Sequence, residues 1–202
     1  MYNFTETWFQ NTAKPNWDSL IPQLRPKKIL EVGSYEGAAT CYLIEKLGNI
    51  NELDIYCIDT WEGSWEHKEI GTDMLSVEQR FDNNISFARS KVLHEPTFTK
   101  LKGFSEVKLM ELFLDEHSNS FDFIYVDGSH ATADVLSDGV LSFKLLKVGG
   151  VMVFDDYLWA AGMKNLDLFP KLAIDAFTTV YANKIAIISS LNTQVLVHKL
   201  SD

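Results

Sequence analysis

Lys28-Ile29-Leu30-Glu31-Val32-Gly33-Ser34-Tyr35-Glu36-Gly37 opens as a short strand, turns on two glycines and runs into apolar residues at helical spacing, Ala38, Cys41, Tyr42, Ile44 and Leu47. A second stretch repeats the idea twice. Phe121-Asp122-Phe123-Ile124-Tyr125-Val126 is a nearly continuous apolar run followed by Asp127-Gly128-Ser129-His130, and Gly149-Gly150-Val151-Met152-Val153-Phe154 is followed by Asp155-Asp156. Such runs are what strands buried on both faces of a parallel sheet require. Ligands of open α/β sheets collect at the carboxyl ends of the strands. Glu31, Asp127, Asp155 and Asp156 all fall there, and packing a core calls for none of them.

Working outward, strands are predicted over Lys28–Val32, Asp54–Ile58, Thr97–Lys102, Phe121–Val126 and Val151–Phe154. Helices are predicted over Gly37–Leu47, Leu75–Lys91, Glu106–Glu116, Ala133–Leu146 and Leu168–Thr179. Two further β runs, Ile185–Ser189 and Gln194–His198, are separated by only Ser190-Leu191-Asn192-Thr193, which suggests an antiparallel hairpin. The expected fold is α/β and Rossmann-like: a mostly parallel seven-stranded sheet with helices on both faces and a C-terminal antiparallel hairpin. Residues 1–27, punctuated by Pro15, Pro22 and Pro26 with a short helix near Asp18–Leu24, form a lead-in to a single domain over residues 28–202. Trp61 to His67 reads as a loop over the crevice.

The chain has 202 residues, a net charge of −10, 46% hydrophobic and 12% aromatic residues, and two cysteines. The acidic balance argues against nucleic-acid and anionic-membrane partners, which need a basic footprint. Cys41 and Cys57 lie in apolar company and read as buried free thiols. No apolar run reaches spanning length and Met1-Tyr2-Asn3-Phe4 lacks a signal-peptide pattern, so the expected location is cytoplasmic.

The first turn makes a nest of backbone N–H groups at a helix start. Its spacing is Gly33-x-x-x-Gly37, not the Gly-x-Gly-x-x-Gly of dinucleotide sites, and Glu31 would repel a pyrophosphate. An acidic residue there attracts an ammonium or sulfonium group, while Asp59, at the next strand end, can accept two ribose hydroxyls. A nucleoside with a cationic amino-acid tail, S-adenosylmethionine, satisfies both. Asp127, Asp155 and Asp156 should lie close together, and carboxylates so crowded need a compensating cation. All-oxygen ligation selects Mg²⁺ or another hard divalent ion. His130, three residues beyond Asp127, can take a proton near neutral pH. Trp61, Trp65, Tyr157 and Trp159 flank the crevice and offer either an apolar wall or ordinary core.

Together these motifs resemble the class I S-adenosylmethionine-dependent methyltransferases, and within them the metal-dependent O-methyltransferases. The stretch from Phe121 to Gly162 is similar to the caffeoyl-CoA and catechol O-methyltransferase pattern. Asp155-Asp156 in place of Asp-Asn, and Asp127-Gly128-Ser129-His130 in place of Asp-Ala-Asp-Lys, bring it nearer to the macrolide sugar O-methyltransferases and the cephalosporin-hydroxylase-like group. The resemblance implies a cofactor set of Glu31, Gly33, Ser34, Gly37, Asp59, Thr60, Trp61, Phe104, Ser105 and Asp127. It also implies metal ligands Asp127, Asp155 and Asp156, and His130 as base with Asp127 beside it in the catalytic set. It further implies a small hydroxyl acceptor, a vicinal diol of a sugar or a phenol, and a homodimer. An NAD(P) oxidoreductase and a non-catalytic or hydroxylase-like binder of S-adenosylmethionine or metal remain open as alternatives.

Overall fold

The computed structural model describes residues 1–159, 165–191 and 193–202. Asn192 in the hairpin link and the end of the motif stretch, residues 160–162, lie outside that set.

Seven strands form one sheet in the order β3-β2-β1-β4-β5-β7-β6. They are β1 (Lys28–Val32), β2 (Asp54–Asp59), β3 (Thr97–Lys102), β4 (Phe121–Val126), β5 (Leu146–Phe154), β6 (Ile185–Leu191) and β7 (Gln194–Lys199). The first five pair in parallel, and β7 is antiparallel to both β5 and β6. The expected architecture is therefore the observed one. The helices are α1 (Trp8–Asn11), α2 (Lys14–Leu24), α3 (Ala38–Leu47), α4 (Trp65–Glu69), α5 (Met74–Arg89), α6 (Ser105–Leu114), α7 (Thr132–Leu145) and α8 (Pro170–Val180).

The period of two along each strand divides the apolar residues between two cores. Ile29, Ile55, Cys57, Phe123, Tyr125 and Val153 face one side, beneath α2, α3 and α5. Leu30, Val32, Ile124, Val126, Met152 and Phe154 face the other, beneath α6, α7 and α8. Cys41 and Cys57 are free and buried, as expected. Among the described residues no helix is long and apolar enough to cross a membrane.

Three local expectations change. The lead-in is more helical than its prolines suggest: Pro15 stands in the first turn of α2, where it lacks only an N–H that has no partner anyway. Trp17 from this helix is fully buried, edge-on to Phe123 and Tyr125. Second, β5 starts at Leu146, which pairs with Phe121 before a register shift, so the strand is longer at its start than the predicted Val151–Phe154. Third, the expected loop at Trp61–His67 contains the start of α4, capped by Ser64.

The strand ends are drawn together by backbone hydrogen bonds. Gly33 N donates to Ile58 O at 2.8 Å, Asp127 N to Val32 O at 2.8 Å, and Asp155 N to Val126 O at 3.0 Å. Gly33 sits so close to the β4 turn that a Cβ would lie 2.0 Å from Asp127 O, and its φ is +86°. Gly33→Ala is expected to cost about 2–5 kcal/mol through a forced shift of this turn plus left-handed strain. Urea unfolding checks this, and a loss below 1 kcal/mol would show that the turn adapts.

On α7 the packing isolates one polar group. Asp138 is 1% exposed, beside Gly128, and neither carboxylate oxygen has a hydrogen-bond partner among the described residues. Burial raises its pKa to about 7; the nearby Ser105 hydroxyl relieves part of the rise, while Asp134 and Glu106 add to it. A raised carboxylate pKa stabilises the fold below the unfolded value near 4, and that stability is lost as pH climbs through 7. The loss is at most about 4 kcal/mol. Asp138→Asn should therefore gain in Tm relative to wild type between pH 5 and pH 8, and parallel Tm–pH curves would remove Asp138 as the cause.

Candidate active site

At the first strand end, Glu31 is 2% exposed and points from β1 toward α3. It accepts a hydrogen bond from the Thr40 hydroxyl, and the Cys57 thiol on the paired strand donates at 3.5 Å. Burial lifts its pKa to about 7, offset in part by those donors and Ser34, with the Asp59 charge adding to the rise. Ser34 is buried as well, and its hydroxyl has no hydrogen-bond partner among the described residues. A buried carboxylate whose pKa is raised and a buried hydroxyl suit a ligand carrying an ammonium group, which would favour the charged form of Glu31.

Asp59, at the end of β2, holds the glycine turn in shape. Its Oδ2 accepts from Ser34 N at 2.9 Å and Tyr35 N at 2.8 Å, and its Oδ1 accepts from Trp61 N at 2.7 Å. These three bonds stabilise two non-glycine residues with positive φ, Tyr35 at 47° and Trp61 at 49°. Thr60 Oγ1 accepts from Glu62 N at 3.1 Å in the same bend. Gly37, with φ of 78°, begins α3 against Phe81 and Ile85. Beside this turn, Gly103 N donates to Asp59 O at 2.9 Å, which brings the start of α6 alongside; there Phe104 is 66% exposed and Ser105 half-buried.

The aromatic wall is only partly as expected. The Trp61 ring is 4% exposed and turned into the core, stacked at a tilt on Phe81 at 4.8 Å, with its Nε1 donating to Tyr35 O at 3.0 Å. Tyr157 is tied by its hydroxyl to Asp175 on α8 at 2.9 Å. Trp159 does face the strand ends, stacked on His130 at 4.2 Å.

Asp127 and Asp155 stand level with each other, since Val126 pairs with Phe154 in the ladder, and Asp156 follows directly. Asp155 is buried and surrounded by donors: the Tyr125 hydroxyl and Gln194 Nε2, at 2.9 Å, both reach Oδ2, and Asp156 N donates to Oδ1 at 2.8 Å. Asp156, with φ of 57°, turns outward and meets His130 Nε2 at 2.8 Å. On the far side of the imidazole, Nδ1 meets Glu66 Oε1 at 2.9 Å. Burial opposes charge on His130, but Asp156 and Glu66 outweigh it, and its pKa is raised to about 9. Burial together with Asp155 and Asp156 holds the Asp127 carboxyl well above the usual range.

This donor set suits a hard divalent cation in kind, because three carboxylates that repel one another need positive charge between them. It is not assembled as a ligand cage: among the described residues no three His, Cys, Asp or Glu side chains converge on a metal position. Asp155 is occupied by Tyr125 and Gln194, and Asp156 by His130.

Three participants were not singled out in the sequence. Tyr125 carries the one hydroxyl of an apolar run, on the same face as Glu31 and Val153. Gln194 stands at the start of a hairpin strand, and Glu66 lies in a segment without periodicity. Only Tyr125 left a signal, as a polar atom in a run buried on both faces.

Comparison with known proteins agrees with this fold. A family model described as "Methyltransferase domain" matches residues 30–157. The uncharacterized protein R132 of Acanthamoeba polyphaga mimivirus is 26% identical over 130 residues, covering 63% of this chain and 50% of its own length, so the chain spans about half of that relative. Among solved structures, the O-methyltransferase TomG from Streptomyces achromogenes, in complex with S-adenosylmethionine, has a TM-score of 0.59 at 15% identity, over 90% of this chain and 77% of its own. The O-methyltransferase from Bacillus cereus, in complex with S-adenosylhomocysteine, scores 0.61 at 16% identity over 96% and 88%. A provisionally assigned caffeoyl-CoA O-methyltransferase from Staphylococcus aureus scores 0.64 at 14% identity over 98% and 93%. With one family model spanning more than half of its length, and its fold shared with these structures, the chain belongs to the methyltransferase-domain family.

Proposed function

We propose that this protein is an S-adenosylmethionine-dependent O-methyltransferase acting on a hydroxyl of a small diol, a sugar or a phenol, with Mg²⁺ assisting. The observation that carries the reading is the pairing of two features at the carboxyl ends of neighbouring strands. One is a glycine turn with a buried Glu31 bonded to Thr40; the other is a histidine set among carboxylates beside the ends of β4 and β5.

S-adenosylmethionine supplies an electrophilic methyl group on a sulfonium. Glu31 and the Ser34 hydroxyl would receive its ammonium end. Asp59, whose oxygens already accept three backbone N–H groups of the turn, keeps one acceptor position on Oδ1 for a ribose hydroxyl, and Gly33, Gly37 and Thr60 shape that bend. Phe104 and Ser105 would flank the base, with Asp127 closing the pocket. Mg²⁺ held by Asp127, Asp155 and Asp156 would lower the pKa of an acceptor hydroxyl.

His130 then has a definite task. In the structure its Nε2 lies 2.8 Å from Asp156, and Asp156 and Glu66 together raise its pKa to about 9. It acts as a base only once Nε2 has parted from Asp156 and released its own proton to solvent, after which Nε2 can accept the proton of the acceptor hydroxyl. Tyr125 and Gln194 hold Asp155 in place meanwhile. The half-exposed ring of Trp65 and the stacked ring of Trp159 offer apolar surface to the acceptor.

Calorimetry is the decisive measurement: S-adenosylmethionine alone, then with Mg²⁺ or a chelator, with catechol as the acceptor probe. Cofactor binding is expected, weakened at least about tenfold in Glu31→Gln, because a charge-assisted hydrogen bond is worth about 1.5–3 kcal/mol. Catechol should bind only with Mg²⁺ present. His130→Ala should keep cofactor affinity within about twofold and lose about 10²–10⁴ in turnover. Absence of cofactor binding would overturn the reading, and catechol binding indifferent to Mg²⁺ would remove the metal from it.

A further inference from the structure

We infer that Glu66 is a positioning residue for His130, fixing from α4 the direction in which the imidazole presents Nε2 to the crevice. The inference rests on the methyl-transfer reading above for what His130 does, and on geometry alone for what Glu66 does.

Helix α4 has five residues, none of them buried, and leaves Trp65 and Ile70 exposed. A helix so short has no stability of its own, so its place is set by what its side chains grip. His67 stacks on Tyr35 in the glycine turn at 5.3 Å. Ser64 Oγ lies 2.7 Å from both His67 Nδ1 and Glu66 Oε2. The second Glu66 oxygen, Oε1, meets His130 Nδ1 at 2.9 Å. One carboxylate thus joins the cap of α4 to the histidine at the end of β4.

His130 is consequently held at three points. Glu66 takes Nδ1, Trp159 covers one ring face, and Nε2 is left to point at Asp156. Rotation of the ring would break the Glu66 contact and the stack together. A base held by an orienting carboxylate on its other nitrogen is the arrangement proton-transfer sites use to keep the reacting nitrogen aimed. A structural explanation is weaker: Glu66 and His130 are each about one-quarter exposed, and exposed ion pairs contribute about 0–1 kcal/mol.

The test compares wild type, Glu66→Ala, Glu66→Gln and, as a control on the exposed face of α4, Lys68→Ala. The readouts are ¹⁵N resonances of the His130 ring, assigned by their loss in His130→Gln, calorimetric affinity for S-adenosylmethionine, and turnover of catechol with Mg²⁺. Glu66→Ala should shift the Nδ1 resonance, leave cofactor affinity within about twofold and lower kcat about 10–100-fold without changing KM for the cofactor. Glu66→Gln, which still accepts from Nδ1–H, should recover most of both effects, and Lys68→Ala should show neither. An unmoved Nδ1 resonance in Glu66→Ala overturns the proposal, as does a fall in cofactor affinity as large as the fall in kcat. If wild type leaves catechol unmethylated, that counts against the proposed acceptor, while the resonances still decide the role of Glu66.

Discussion

Mutual repulsion among the carboxylates that end β4 and β5 organises this end of the molecule. Asp127 and Asp155 lie level across two adjacent strands, Asp156 follows directly, and Glu31 is buried one strand away. Negative charge so dense at half-buried strand ends is unstable unless donors surround it. The fold supplies them from several directions: a phenol from within β4, an amide from β7, a backbone N–H from Asp156 and an imidazole from the turn after β4. Each donor is also a restraint, so the charges that would disrupt a core instead fix the geometry of the crevice.

These restraints reach into parts of the chain that carry no obvious chemistry. Asn16 on α2 donates to Gln194 Oε1 at 3.1 Å, and Gln194 in turn donates to Asp155. At the other side, Glu36 in the glycine turn accepts from Thr5 N and Oγ1, each at 2.7 Å, and pairs with Arg80 on α5 at 2.5 Å. Asn84 receives Asn3 N at 2.8 Å and donates to Glu36 O at 3.0 Å. The first residues of the chain are thereby strapped across the turn expected to hold the cofactor. Their buried tryptophan, Trp17, belongs to the same core as Phe123 and Tyr125. The lead-in is thus packed into the sheet domain and bears on the shape of its crevice.

The fold was legible because its signals are local. Two-residue periodicity, apolar runs and a glycine turn survive any tertiary context, and five parallel strands with a terminal hairpin follow from them. The helical lead-in and α4 were less legible. Prolines disguise the first, since Pro15 stands where a helix tolerates it, and α4 is too short and too exposed to leave an apolar period. Trp61 is left open by the sequence between crevice wall and core, and its burial against Phe81 on α5 settles it for the core, a contact between residues 20 apart that the local sequence does not carry.

From the residues alone came the strand ends, the acidic set Glu31, Asp59, Asp127, Asp155 and Asp156, and the presence of His130 beside them, because each sits a fixed number of residues from a recognisable element. Only the tertiary structure decided what those groups hold. It gave Asp155 to Tyr125 and Gln194, Asp156 and Glu66 to His130, and Asp59 to the backbone of the glycine turn. A hydrogen bond forms between atoms brought within 3 Å by folding. Sequence separations such as the 64 residues between Glu66 and His130 carry no trace of that distance.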